Sequence, residues 1–134
     1  MKKQILAVDD SKAIRYLLQT VLGQDYHVVT VPDGFSAVYY LSNRSQPDLI
    51  IVDPQLPDME NWELIQQLST SGMHGGIPVL VLSALGQQET ELKCMEYGVV
   101  RYFMKPFNPI ELLDAVREMV VTGELDRDVS ALRS

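Results

Sequence analysis

Cysteine is almost missing from this chain: one of its 134 residues, Cys94, is a cysteine, so no internal disulfide can form. Apolar runs are short as well. Leu49 to Val52 and Ile77 to Leu82 are strand-sized, far below the roughly 20 residues that span a bilayer. The opening run, Ile5 to Val8, is cut off by Asp9 and Asp10 and is too short for a signal-peptide core, so a reducing cytoplasm is the expected compartment, with no membrane role. Basic side chains are scarce: 11 lysines and arginines face 18 acids, a formal charge of −7. Nucleic-acid affinity rests on positive charge, so no direct nucleic-acid binding is expected. The two histidines, His27 and His74, have no second ligand at metal spacing; His27 reads as a strand flank and His74, beside Gly75 and Gly76, as a loop residue.

What is present suffices for one acidic domain. Hydrophobic residues make up 46% of the chain, and a chain this long can bury roughly two thirds of its unfolded surface. Uniformly apolar, β-branched runs recur at Gln4 to Val8, His27 to Val31, Leu49 to Val52, Pro78 to Leu82 and Val99 to Met104. They read as strands covered on both faces. Between them lie helical stripes, clearest in Ile14, Leu17, Leu18, Val21 and Leu22 and again in Leu112, Leu113, Val116, Met119 and Val120. Phe35, Val38 and Leu41 mark a second helix and Leu64, Ile65 and Leu68 a third; the fourth, around Glu89 to Tyr97, has the weakest pattern. Asn108, Pro109 and Glu111 form an N-cap, a first-turn proline and a capping-box acid for the last helix. Its end is expected near Gly123, giving a domain over residues 1–121 and a polar tail or linker stub over 122–134. Five strand-helix alternations predict an α/β fold: a five-stranded, doubly wound parallel sheet with helices on both faces.

Sites in such sheets lie beyond the carboxyl ends of the strands, where the strand order reverses. The residues there are Asp9 and Asp10 after the first strand, Asp53 after the third, Ser83 and Ala84 after the fourth, and Lys105 and Pro106 after the fifth. Each has a structural alternative. Asp9 or Asp10 could cap the helix that starts near Ser11, Asp53 before Pro54 could shape a turn, Ser83 could be a loop hydroxyl and Lys105 a solvated lysine. Together they are chemically coherent. Carboxylates about 5 Å apart repel by roughly 3 kcal/mol per pair at an effective dielectric near 20, so they call for a cation. Hard oxygen donors suit Mg2+, and an aspartate beside it can serve as nucleophile toward a phosphoryl group, forming an acyl phosphate.

These residues resemble the receiver domains of two-component response regulators, in particular single-domain chemotaxis regulators. Ile5-Leu6-Ala7-Val8-Asp9-Asp10-Ser11 is similar to the family's first strand and acid pair, and Leu49-Ile50-Ile51-Val52-Asp53 with Leu56-Pro57 and Met59 to its acceptor strand and loop. Val81-Leu82-Ser83-Ala84 and Tyr102-Phe103-Met104-Lys105-Pro106-Phe107 complete a likeness over residues 4–120. The resemblance implies the flavodoxin-like strand order 2-1-3-4-5 and a phosphorylation switch. In it Asp53 accepts a phosphoryl group from a histidine kinase, Asp10 binds Mg2+ directly, Asp9 does so largely through water, and the Gln55 carbonyl is a further ligand. Lys105 pairs with the acceptor, Ser83 hydrogen-bonds the phosphoryl group, and Tyr102 is the rotating aromatic on a helix 4, strand 5, helix 5 surface that controls partner binding. Implied partners are a sensor histidine kinase or phosphotransfer protein and a downstream protein target, for a monomer or weak homodimer. Such a domain is no enzyme in the usual sense, since it catalyses only its own phosphorylation and dephosphorylation.

Three stretches depart from the family pattern: Ser83 stands for the commoner threonine, Glu60-Asn61 for Asp-Gly, and Val99-Val100-Arg101 for a small, acidic stretch. At the second, Asn61 is the residue type that best tolerates a left-handed backbone after glycine. The acids remain, while the partner-facing edge differs. Competing readings are a receiver-like interaction module that no longer switches, an FMN-binding flavodoxin-like protein, and a Mg2+-dependent phosphohydrolase. Flavin phosphate would meet repulsion at Asp9-Asp10, and the phosphohydrolase motif separates its aspartates by one residue where these are adjacent. Trp62 and the methionines read as packing residues, and Cys94 as an inert thiol.

Overall fold

The computed structural model describes residues 2–43, 46–72 and 76–133, with 123–133 as backbone alone. His74 lies outside them. Five strands, β1 (Gln4–Val8), β2 (His27–Val31), β3 (Leu49–Val52), β4 (Val79–Ser83) and β5 (Arg101–Met104), alternate with α1 (Lys12–Leu22), α2 (Gly34–Asn43), α3 (Glu63–Thr70), α4 (Gln87–Glu96) and α5 (Pro109–Arg133). All pairings are parallel, and the order is β2-β1-β3-β4-β5. The α/β sheet and its 2-1-3-4-5 order are as expected. Among the described residues no helix is long and apolar enough to cross a membrane.

The uniformly apolar runs have a simple cause: alternate residues of each strand feed two separate cores. Ile5, Ala7, Leu49, Ile51, Leu80 and Leu82 face Leu18 and Leu22 of α1 and Leu112, Ala115 and Val116 of α5. Leu6, Val8, Ile50, Val52 and Val81 face Ala37 and Leu41 of α2, Leu64, Ile65 and Leu68 of α3, and Cys94 of α4. Exposure of only 0–1% for these strand residues makes the sheet a rigid platform whose carboxyl edge carries the polar side chains.

Four expectations are corrected. The last strand starts at Arg101 and not Val99, because Gly98, at φ 71°, ends α4 in the left-handed region and the Val99 amide donates to the Cys94 carbonyl at 2.8 Å. The helical backbone of α5 runs through Gly123 to Arg133: one interior glycine costs only about 1 kcal/mol, and no proline follows Pro109. In α2 the inward face is Gly34, Ala37 and Leu41, while Phe35 and Val38 of the expected stripe point outward. At Gly34 the Met59 side chain lies against the backbone, and a Cβ there would stand 2.4 Å from its sulfur, so a larger residue would have to displace Met59. The left-handed residue before α3 is Trp62, at φ 70°, and not Asn61. Its indole is buried at 3% exposure and its amide closes the loop onto the Pro54 carbonyl at 2.8 Å, so tertiary contacts override a backbone preference.

Candidate functional site

The ladders that build the sheet also deliver the polar residues. Just past the strand ends, the Asp9 amide donates to the Val31 carbonyl (3.1 Å), the Asp53 amide to Val8 (2.9 Å) and the Lys105 amide to Ser83 (2.7 Å). Asp9, Asp53 and Lys105 therefore sit at one edge, at the reversal between β1 and β3. Asp9 and Asp53 are buried, at 1% and 5% exposure, and Asp10 is exposed. Carboxylate oxygens of all three lie within 4.8 Å of one another.

Lys105 bridges the two buried acids, with its Nζ 2.7 Å from Asp9 Oδ2 and 2.8 Å from Asp53 Oδ2. It is not a solvated surface lysine. Burial opposes its charge, but the hydrogen bonds to Asp53 and Asp9 outweigh that and raise its pKa. Burial pushes the Asp53 carboxyl up, against the Lys105 and Gln55 hydrogen bonds that hold it down, with the Asp9 charge adding to the rise. The Lys105–Pro106 peptide is cis.

The structural alternatives are partly realised. Ser11, and neither aspartate, caps α1, its side chain accepting from the Ile14 amide at 3.3 Å. Asp9 Oδ1 accepts from the Ser11 amide (2.9 Å), so both Asp9 oxygens are engaged. Asp10 makes no side-chain hydrogen bond or ion pair among the described residues. Asp53 does shape a turn, Oδ1 accepting from the Gln55 amide at 2.8 Å, while its other oxygen meets Lys105.

Ser83, the last residue of β4, is fully buried, and its hydroxyl lies 2.8 Å from that of Thr90 on α4. Tyr102 pairs in register with Val81, which shares a sheet face with Ser83, and its half-buried ring packs in the α2–α4 core. Asp9, Asp10, Asp53 and Lys105 are thus brought together directly; Ser83 is turned toward α4, Tyr102 stands beyond it, and Gln55 follows the acceptor strand with an exposed side chain.

Several contributors escaped the sequence reading. Arg15, one turn into α1, donates from Nη1 to the Asp9 carbonyl at 2.8 Å and steadies the acid pair. Its position four residues after the Ser11 cap was the available signal. Asp58 accepts from the Gly34 and Phe35 amides at 2.9 Å, tying the loop after Asp53 to the start of α2. Slight burial raises its carboxyl, but these amides outweigh that and hold it below its ordinary pKa. The Trp62 indole donates to Glu89 of α4 at 2.9 Å. Cys94 is buried and its thiol is pushed up to about 11 by desolvation, which makes it the inert residue expected.

A sheet of this order with an acid pair, a third aspartate and a bridging lysine at its switch point defines a signalling class. The response regulator receiver domain family matches residues 5–117, and the chain belongs to it, as a receiver domain of two-component systems. Curated relatives include the transcriptional regulatory protein KdpE of Staphylococcus aureus, 33% identical over 87% of this chain and 49% of that protein. The probable transcriptional regulatory protein SilR of Salmonella typhimurium is 36% identical over 90% of this chain and 52% of its own length. The chain spans about half the length of these relatives. Among solved structures, the chemotaxis response regulator CheY4 of Vibrio cholerae superposes with TM-score 0.79 at 28% identity, covering 89% of this chain and 99% of that one. A CheY-like receiver domain protein of Methanospirillum hungatei gives 0.85 at 27% identity, covering 94% and 99%.

Proposed function

We propose that this chain is a phosphorylation-dependent switch in which Asp53 takes a phosphoryl group from the phosphohistidine of a sensor kinase or phosphotransfer protein. The observation that supports this most is the Lys105 ammonium held between two buried carboxylates, with a third carboxylate open beside them. An Asp53 oxygen attacks phosphorus, an O–P bond forms, and the N–P bond to histidine breaks, its electron pair returning to the imidazole. Lys105 is placed to follow the charge from the carboxylate to the phosphoryl oxygens.

The donor set is all hard oxygen, and the four charged groups sum to −3 + 1 = −2, which fits Mg2+. Asp10, Asp53 and the Gln55 carbonyl would hold it, and Asp9 largely through water. When bound, the ion supplies neutralising charge to the phosphoryl oxygens. The engaged oxygens of Asp9 and the open carboxylate of Asp10 support that division of roles. Asp10→Asn is therefore expected to weaken Mg2+ binding by at least about tenfold more than Asp9→Asn. Calorimetric titration with Mg2+ checks this, and equal losses in the two variants contradict the direct-versus-water assignment.

For output, the exposed Leu92 and Met95 of α4, Val100 and Arg101 at β5, and Val121 of α5 offer a surface for a downstream protein. It lies on elements next to Ser83 and Tyr102, so a change at Asp53 can reach it. We place the receiver over residues 1–121 and read 122–134 as a polar tail or linker stub after it. The net charge of −7 supports a protein partner and no direct contact with nucleic acid, with the domain working in the cytoplasm as a monomer or weak homodimer.

A further inference from the structure

We propose that Thr90 is a positioning residue that withholds the Ser83 hydroxyl from the phosphoryl site and so sets how readily the domain takes its modified form. This rests on Asp53 being the acceptor. Both hydroxyls are fully buried and 2.8 Å apart, and Ser83 Oγ also accepts from the Leu85 amide at 3.1 Å. Among the described residues the Ser83 hydroxyl makes no hydrogen bond to Asp53 or to the Lys105 ammonium; the Asp53 oxygens are taken by Gln55 and Lys105.

A serine hydroxyl has one proton. To donate it to a phosphoryl oxygen, Ser83 must turn away from α4, which strips Thr90 Oγ1 of its partner where water does not reach. An unpaired buried hydroxyl is unfavourable, so the resting pair opposes the modified arrangement. The same turn of α4 is tied a second time, since the neighbouring Glu89 accepts the indole proton of Trp62, whose amide is bound to the residue after Asp53. Thr90 and Glu89 thus fasten the start of α4 to the end of β4 and to the acceptor loop. Loss of the Ser83 contact releases one of those ties, which gives the phosphoryl group a route to the α4 surface.

Thr90→Val keeps the branched shape and deletes the hydroxyl. It removes the buried hydroxyl that switching would leave unpaired and takes its partner from the resting Ser83 hydroxyl, two effects of the same sign whichever of the two donates. With the full chain, Mg2+ and beryllofluoride, calorimetry is expected to show Thr90→Val binding roughly threefold to tenfold tighter than wild type, the size of one net hydrogen bond. Thr90→Ser, which keeps the hydroxyl, is expected to match wild type. In a Ser83→Ala background the Thr90→Val gain is expected to vanish, which a merely structural effect of valine would not do. Should Thr90→Val fail to fold by circular dichroism, Thr90→Ala carries the same expectation. Wild type that binds while the Thr90 variant binds no tighter, or a gain that persists without the Ser83 hydroxyl, overturns the role of Thr90 alone. Wild type that takes up no beryllofluoride overturns the acceptor reading and this inference with it.

Discussion

Asp53→Ala is expected to abolish modification by acetyl phosphate and Mg2+ completely, whereas wild type gains one phosphoryl group on the peptide that holds Asp53. Geometry gives the reason. Asp9 is buried with one oxygen on the Ser11 amide and the other on Lys105, and it lies one residue past β1, with its amide still in the ladder. Asp10 is exposed and suited to hold a cation. Asp53 alone combines burial, a carboxylate oxygen on the bridging lysine and a following loop, Pro54 to Trp62, that can admit a phosphoryl donor. Mass spectrometry of the intact and digested protein checks this. An acyl phosphate that survives in Asp53→Ala contradicts the assignment.

The second large effect is expected from Lys105→Met. It deletes the cation shared by two buried acids, and breaking a buried ion pair by removing one partner costs about 3–5 kcal/mol, while the exposed acids and α5 are untouched. For a domain of this length that corresponds to a fall in melting temperature of roughly 10 °C or more. The modification rate at Asp53 should fall at least about tenfold, since the charge that follows the phosphoryl oxygens is gone. Because Mg2+ brings positive charge to the same carboxylates, it should raise the melting temperature of the variant more than that of wild type. Calorimetric melts with and without Mg2+ check both points. A variant as stable as wild type in the absence of Mg2+ contradicts the view that Lys105 is the resident counterion.

The central strands were legible because they are covered on both faces, so Leu49 to Val52 cannot be anything but apolar. Asp9, Asp53 and Lys105 were legible for a related reason: they are the first polar residues after such runs, where a parallel sheet puts its site. The α4 helix was faint because its buried face is small and half polar, consisting of Thr90 and Cys94, which leaves no apolar stripe to read. For the same reason the Ser83–Thr90 pair was invisible, since two hydroxyls seven residues apart carry no signal until strand and helix are packed. Tertiary contacts decided the remainder. Trp62 takes the left-handed backbone that Asn61 would adopt more readily, since its indole reaches Glu89, and Asp58 caps a helix 24 residues earlier. The continuation of α5 past Gly123 shows a weak stop signal overridden by good helix formers on either side.

The central claim is that a group on Asp53 is felt across β4 and β5 at the surface of α4. Amide NMR shifts of the full chain with Mg2+, compared with and without beryllofluoride, test it most directly. Large changes are expected at Asp53 to Gln55 and Ser83, and also through the first turn of α4 around Glu89 and Thr90 and along Arg101 to Met104 of β5, with the β5 changes much reduced in Ser83→Ala. Changes confined to the residues around Asp53, with α4 and β5 silent in wild type, would mean that the domain binds the phosphoryl mimic without switching.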